Sequence, residues 1–143
     1  MEPRNRAIGV KSLARTLSLC FAAGAVGGLA NSLVVWAGGR LGPQSALVVA
    51  LAPALTPAWL YPRLVWGGLW GALFLLPIQG SALRRGLLLG LGPALFQLFV
   101  VLPYWRGHGM LGVELGALTP VPVIAANLVW GVAASGWLRW TKG

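Results

Sequence analysis

A chain of 143 residues that is 57% hydrophobic and only 9% charged, with a mean hydropathy of +0.78, has too few polar residues to cover a soluble globule. Its net charge of +9 does not indicate nucleic acid as a partner, because the positive residues stand at the ends of apolar segments and form no basic stripe. The single cysteine, Cys20, excludes an intrachain disulfide and a cysteine-based zinc site. The composition therefore predicts an all-α integral membrane protein that contacts the lipid bilayer and needs no cofactor or metal.

The chain begins with a basic segment, residues 1–15, which is followed by a long apolar run. Such a start is also typical of a secretory signal peptide, and Gly28-Leu29-Ala30 has the small residues of a cleavage site. We favour an uncleaved anchor, because apolar sequence continues to Trp36, beyond the usual length of a signal core. The basic segment is then expected to be a cytoplasmic tail.

Windows of about 20 apolar residues predict four membrane-spanning helices in one membrane domain, residues 1–143. Threonine followed by proline stands at the start of the second and fourth spans, at Thr56-Pro57 and Thr119-Pro120. Threonine caps free backbone amides and proline is tolerated at the first helical position, so each pair predicts a helix start. The predicted spans are residues 16–37, 57–78, 86–105 and 119–138.

Residues 43–61 are apolar enough to form a fifth span, and the positive charges argue against it. With four spans, eight Lys and Arg residues lie on the cytoplasmic side and three on the other, whereas five spans give six and five. The positive-inside rule favours the stronger bias. Residues 45–55 are then too short to cross a hydrocarbon core about 30 Å thick. We expect them to be interfacial or re-entrant, with a place in a fifth span as the alternative; their counterpart is residues 107–118.

Two short sequence motifs, Ala-Leu-Thr-Pro and Leu-Val-Trp-Gly, occur in the same order in the two halves of the chain. Ahead of each pair, an apolar stretch opens on an arginine and closes on a tryptophan, from Arg15 to Trp36 and from Arg85 to Trp105. This order predicts two parallel helical-hairpin repeats, residues 15–80 and 85–140, with both termini cytoplasmic. Short matches also arise by chance in a chain rich in Leu, Ala, Gly and Trp. In the first half the motifs are Ala54-Leu55-Thr56-Pro57 and Leu64-Val65-Trp66-Gly67, and in the second half they are Ala117-Leu118-Thr119-Pro120 and Leu128-Val129-Trp130-Gly131.

Small residues recur four positions apart in every predicted span, as in GxxxG motifs. In lipid, such rows let helix backbones approach and pack by van der Waals contact. The rows indicate either packing within one bundle or a homodimer interface, and the sequence leaves both open. The glycines concerned are Gly24, Gly28, Gly67, Gly71, Gly86, Gly90 and Gly131.

Most tryptophan and tyrosine residues fall near the ends of the predicted spans, where their rings can anchor the protein among lipid headgroups. Trp66, Trp70 and Trp130 lie deeper. A buried indole needs a hydrogen-bond acceptor, and an Asn or Gln on a neighbouring helix would provide one. The predicted anchors are Trp36, Trp59, Tyr61, Tyr104, Trp105, Trp137 and Trp140.

Four polar side chains, Asn31, Arg63, Gln97 and Asn127, form the candidate intramembrane site. Polar groups at membrane depth are costly and usually face the bundle interior or a water-filled cavity. Arg63 and Asn127 occupy the same repeat position, directly before Leu-Val-Trp-Gly. The planar fork of an arginine suits a carboxylate or phosphate. In the alternative interpretation, Arg63 extends to the outer surface beside Tyr61.

Chemistry-bearing residues are scarce. No Asp, Glu, His or Lys falls inside a predicted span, so a proton-coupled exchanger has no intramembrane carboxylate to use. His108 and Glu114 could form an acid–base or metal pair, but a lone histidine in a loop is typically a solvated surface residue. No motif of a catalytic or phosphate-binding site occurs.

The sequence therefore favours a non-enzymatic membrane component that works by packing, as a homo-oligomer or an accessory subunit of another membrane protein. A small channel or carrier for a neutral or anionic solute or a lipid is the alternative. The strong positive-inside bias favours a cell inner membrane as the location.

Overall fold

The computed structural model describes the backbone of residues 3–142 and the side chains of residues 9–142. The side chains of Glu2, Arg4 and Arg6 lie outside this part, and residues 3–15 of the basic segment belong to the first helix. All regular elements in the described part are helical. They are α1 (Pro3–Leu41), α2 (Pro43–Ala46), α3 (Pro57–Trp70), a 3₁₀ turn (Gly71–Leu75), α4 (Ala82–Phe96), its π-helical continuation (Gln97–Trp105), a second 3₁₀ turn (Met110–Leu115) and α5 (Pro120–Lys142).

Three helical segments are long and apolar enough to cross a membrane: Gly9–Leu41, Ala82–Trp105 and Pro120–Lys142. The prediction of an all-helical chain with several helices long and apolar enough to span a membrane is confirmed at this level. The second predicted span, residues 57–78, is not one continuous α-helix, because α3 ends at Trp70 and a 3₁₀ turn follows. Pro77 explains the end of the turn: the residue before a proline avoids helical geometry, and Leu76 is extended at φ −65° and ψ 135°.

The two helices that follow a Thr-Pro pair begin where the sequence predicts. α3 starts at Pro57, and the Thr56 hydroxyl oxygen accepts a hydrogen bond from the Trp59 backbone N–H at 3.3 Å. α5 starts at Pro120. Thr119 differs from Thr56, because its hydroxyl donates to the Gly116 carbonyl at 2.7 Å and so fixes the preceding loop.

Neighbouring long helices run in opposite directions. Where two of these helices meet, higher residue numbers on one contact lower residue numbers on the other. α1 packs against both α3 and α5, and α5 packs against both α1 and α4. The helices α1 and α5 therefore lie at the centre, with α3 and α4 outside them. The described chain ends and the turn at residues 76–81 therefore share one end of the bundle, the terminal end; residues 42–56 and 106–119 share the other, the loop end. Backbone contacts pair Gly24 with Gly67 and Gly28 with Arg63 in the first hairpin, and Gly86 with Gly131 and Gly90 with Asn127 in the second.

The seven predicted packing glycines lie at contacts between helices of the same chain. A methyl group placed on Gly67 would stand 2.7 Å from the Gly24 carbonyl oxygen, and one on Gly86 would stand 2.6 Å from that of Gly131. Only a hydrogen atom fits in such a space, which is the physical reason for glycine at these positions. The rows therefore close the bundle itself.

The segments at the loop end fold over the bundle as a cap, which we define as residues 43–56 and 107–118. Residues 45–55 form no transmembrane helix: α2 is four residues long, and residues 49–56 have no regular structure. The Ala50 N–H donates to the Leu115 carbonyl at 2.8 Å, which joins the two halves of the cap. Irregular backbone near a membrane is tolerated where it is buried in protein or lines a cavity.

A dry core fills the terminal half of the bundle. The side chains in it are apolar and buried, so they bury the faces of α1, α4 and α5 together with the 3₁₀ turn after α3. The core comprises Cys20, Ala23, Phe74, Leu89, Trp130, Ala134 and Leu138.

Candidate functional site

A cavity of about 900 Å³ lies between the helices in the loop half of the bundle. All four predicted polar residues, Asn31, Arg63, Gln97 and Asn127, line it. Within the described residues, Trp130 is the only member of the dry core that also lines the cavity. The cavity therefore ends near the middle of the bundle, and its volume is in the range of small-molecule binding sites.

Arg63, in the second turn of α3, is turned toward α1. Its Nε donates to the Ser32 hydroxyl oxygen at 3.0 Å, and its Nη2 donates to Asn31 Oδ1 at 2.6 Å. The guanidinium carbon stands 4.5 Å from the ring centroid of Trp59, a cation–π geometry. These contacts hold the side chain inside the bundle, whereas Tyr61 is 62% exposed. Arg63 thus does not extend to the surface beside Tyr61.

Ser32 fixes the orientation of this arrangement. Its hydroxyl is fully buried and donates to the Gly28 carbonyl at 2.7 Å, so its oxygen is left to accept from Arg63. Asn31 is buried as well. Two neutral oxygens from consecutive residues of α1 therefore position the guanidinium.

The positive charge of Arg63 has no carboxylate partner among residues 9–142. Glu114 is the only acid with a described side chain, and it lies against Gly109 in the cap. Arg106 also lines the cavity, so two guanidinium groups border the same space. The bonds of Arg63 use Nε and Nη2, and Nη1 donates to no described group. Arg63 therefore presents to the cavity a positive charge for which no described side chain supplies a counter-charge.

Gln97 and Asn127 form a neutral pair on the other side of the cavity. Asn127 Nδ2 donates to Gln97 Oε1 at 3.1 Å and to the Val123 carbonyl at 2.8 Å. Each amide is thereby engaged with a neighbour. The pair joins α4 to α5 and presents polar atoms without charge.

The π-helix that follows α4 places residues on the cavity wall. Pro103 has no backbone N–H and its ring clashes with the preceding turn of an α-helix, so a wider π-helical turn accommodates it. Gln97, Val101 and Trp105 recur every four residues in this segment, and all three line the cavity. Short π-helical segments occur frequently at functional sites.

Aromatic rings close the gap between the two outer helices. We call Trp66, Trp70, Phe96 and Trp105 the aromatic bridge; all four line the cavity. Ring centroids are 6.0 Å apart for Trp66 with Trp105, and 5.4 Å apart for Trp70 with Phe96 and for Phe96 with Trp105. Trp66 is 50% exposed and Trp105 is 56% exposed. The bridge therefore separates the cavity from the outer surface of the bundle.

The predicted aromatic anchors and deep tryptophans take different places. Trp130 Nε1 donates to the Gly24 carbonyl at 3.0 Å, so its acceptor is backbone and not an Asn or Gln side chain. Trp66 is half exposed because α3 is an outer helix, and it also lines the cavity. Among the anchors, four are exposed: Tyr61, Tyr104, Trp105 and Trp140. The other three, Trp36, Trp59 and Trp137, are half-buried.

Sequence reasoning missed three residues that belong to the site. Ser32 lies four residues after Gly28 and so continues that row of small residues, yet its hydroxyl oxygen accepts a hydrogen bond from Arg63. Arg106 directly follows a predicted anchor and lines the cavity. Gln44, the only amide in the cap segment after α1, is 4% exposed; its Nε2 donates to the Val35 carbonyl at 3.3 Å, and its Oε1 has no described partner. Amides and charges next to predicted spans were the available signal.

His108 and Glu114 belong to no metal site formed by the described residues. The Glu114 N–H donates to the His108 carbonyl at 3.2 Å, which is a backbone contact. The side chains of residues 9–142 include no group of three or more His, Cys, Asp or Glu that could hold a metal ion.

The comparisons with known proteins give no further guidance. Protein-family models, curated proteins and solved structures were each compared with the chain, and none matched. Inference about function therefore rests on the geometry of the cavity.

Proposed function

We propose that this protein is a small membrane carrier or binding protein for an anionic solute or lipid, and that the cavity is its binding site. One observation carries the proposal: Arg63 is held inside the bundle by Asn31 and Ser32 without a carboxylate partner among the described residues. A bound anion would supply the missing counter-charge. The planar guanidinium can donate two parallel hydrogen bonds to a carboxylate or phosphate.

A carrier fits the cavity better than a channel does. A channel needs a continuous polar path, whereas the cavity ends at Trp130 and the apolar core of the terminal half. A site that opens toward one side at a time is the arrangement of carriers. No catalytic role is part of this proposal.

We further propose four spans in two parallel repeats. The 14 residues of α3 and the 5 residues of the following 3₁₀ turn together extend about 31 Å, which matches a hydrocarbon core about 30 Å thick. The equivalent contacts of Gly67 with Gly24 and of Gly131 with Gly86 support the repeat. These contacts make Gly24 equivalent to Gly86. That differs from the alignment in which Arg15 matches Arg85, because Gly24 stands nine residues after Arg15 whereas Gly86 directly follows Arg85.

Both termini are proposed to be cytoplasmic, in a cell inner membrane. The terminal end of the bundle carries Arg84, Arg85, Arg139 and Lys142, which is the positive side that the positive-inside rule predicts.

The packing or accessory role, with a second copy or another membrane protein as partner, ranks second. The glycine rows are the main sequence feature in favour of this role, but their glycines contact helices of the same chain. An interface between chains would therefore have to use other residues.

Thermal unfolding of the purified protein in a nonionic detergent tests the anion site. Hexanoate and hexyl phosphate should raise the unfolding temperature, while hexanol at the same concentration should not, because a ligand of the native state stabilises it by mass action. Arg63→Gln should abolish the anion effect, since it removes the charge that holds the anion. Arg139→Gln, which removes one exposed arginine at the opposite end, is the matched control and should respond like the wild type.

Two outcomes would contradict the proposal. The first is an anion effect of equal size in the wild type and in Arg63→Gln. The second is no difference between the anions and hexanol.

A further inference from the structure

We propose that the ligand is a lipid phosphate, that is, a phosphate monoester with hydrocarbon chains, and that it enters sideways from the bilayer between α3 and α4. The inference rests on the proposed anion site and names its ligand class and its route.

The charge of the cavity wall matches a phosphate monoester better than a carboxylate. Two arginines, Arg63 and Arg106, line it, and Glu114, the one acid with a described side chain, is not among the lining residues. A phosphate monoester carries a charge of about −1.5 to −2 near neutral pH and offers three acceptor oxygens. A carboxylate would neutralise only one of the two guanidinium groups.

The order of residues along the cavity follows the order of groups in one leaflet of a bilayer. Arg106 and His108 lie at the loop end, close to where headgroups begin, and Arg63 lies in the second turn of α3 from that end. Trp70 and Trp130 lie deeper, near the dry core. A lipid whose phosphate contacts the arginines would thus direct its chains along aromatic rings toward the middle of the membrane.

The closure between α3 and α4 consists of side chains. The aromatic bridge joins the two helices, whereas α1 with α3 and α4 with α5 meet through glycine backbones that leave no space. Trp66 and Trp105 are half exposed on the surface that lipid chains contact. Rotation of these rings would open the cavity to the bilayer without separating any glycine contact, because side-chain rotations need far less displacement than helix movements.

Photocrosslinking in nanodiscs tests the proposal. The probes are phosphatidic acid with a diazirine in one acyl chain and phosphatidylcholine with the same chain, each at low content in a phosphatidylcholine bilayer. Phosphatidic acid should label Trp66, Trp70, Phe96 or Trp105 about tenfold more than phosphatidylcholine does, since one charge-assisted hydrogen bond corresponds to about that ratio. Unlabelled phosphatidic acid should compete.

Arg63→Gln and Arg106→Gln should each reduce this labelling, and Arg139→Gln should leave it unchanged. Equal labelling by both lipids, labelling confined to outer faces such as Leu87 and Val129, or labelling that persists in Arg63→Gln would overturn the lipid inference. The thermal assay separates the two proposals. If hexyl phosphate stabilises the protein through Arg63 while the lipid probes do not label the cavity, the anion site stands and the lipid route fails. If no anion acts through Arg63, both fail.

Discussion

Arg63 and Asn127 each stand directly before the motif Leu-Val-Trp-Gly, but one forms a charged site and the other a neutral one because their neighbours differ. Arg63 donates hydrogen bonds to two side-chain oxygens of α1, those of Asn31 and Ser32, and its charge has no carboxylate partner among the described residues. Asn127 is satisfied by Gln97 and by a carbonyl of its own helix. The charge of Arg63 therefore lies on the α1–α3 side of the cavity, opposite the neutral Asn127–Gln97 pair, and Arg106 adds a second positive charge at the loop end.

Trp130 joins the two halves of the chain at the inner end of the cavity. Its indole donates to the Gly24 carbonyl across α1 and α5, and its ring centroid lies 5.8 Å from that of Phe74. Trp130→Phe keeps an aromatic ring but removes the donor. We expect a loss of about 1–2 kcal/mol in the free energy of unfolding.

Reversible unfolding in mixed micelles would measure this loss. Trp140→Phe is the matched control, because Trp140 is 79% exposed, and it should change stability by less than about 0.5 kcal/mol. Equal stabilities of the two variants would show that the Trp130 hydrogen bond contributes nothing.

At the scale of elements, glycines decide how closely the helices pack. Gly131 of α5 meets Gly86 of α4, and its position has no room for a methyl group. Gly136, five residues later on the same helix, has nothing within 4 Å of such a group. Both residues lie inside α5, so the comparison between them isolates the contact with α4.

Gly131→Ala and Gly136→Ala should therefore change stability in opposite directions. Gly131→Ala forces α4 and α5 apart and is expected to cost about 1–3 kcal/mol. Gly136→Ala lowers the entropy of the unfolded chain at no steric cost and is expected to add up to about 1 kcal/mol. Thermal unfolding of the two variants measures both effects. A Gly131→Ala protein as stable as the wild type would mean that α4 and α5 do not pack through this glycine.

At the scale of the whole molecule, the number of membrane spans decides on which side of the membrane each chain end lies. α3 and its 3₁₀ turn run antiparallel to α1 over the same depth, although only three helices in the described part of the chain meet the length and hydropathy expected of a span. An even number of crossings places both chain ends on one side; three crossings place them on opposite sides.

Single cysteines in a Cys20→Ala background would count the spans. Gly9→Cys and Lys142→Cys should react with a membrane-impermeant maleimide only after cells are permeabilised, while Leu41→Cys, at a position that is 81% exposed at the loop end, should react in intact cells. Labelling of Gly9→Cys and Lys142→Cys from opposite sides would instead establish three spans.

The sequence by itself determined the helical membrane class, the helix starts at Pro57 and Pro120, and the four polar residues that line one cavity. These follow from local rules: apolar length, the chemistry of Thr-Pro, and the cost of polar groups in lipid. It also identified the glycines at the helix contacts, since small residues four apart form one helix face.

Only the tertiary structure decided that Arg63 turns inward, because Ser32 and Asn31 reach it from a helix more than thirty residues away in the chain. It likewise decided that α3 ends in a 3₁₀ turn, that Trp66 lies between the cavity and the outer surface, and that Arg106 and Gln44 join the cavity. Each of these depends on which helices are neighbours. Periodicity along one helix specifies an apolar face, but the partner of a polar side chain is set by packing across helices.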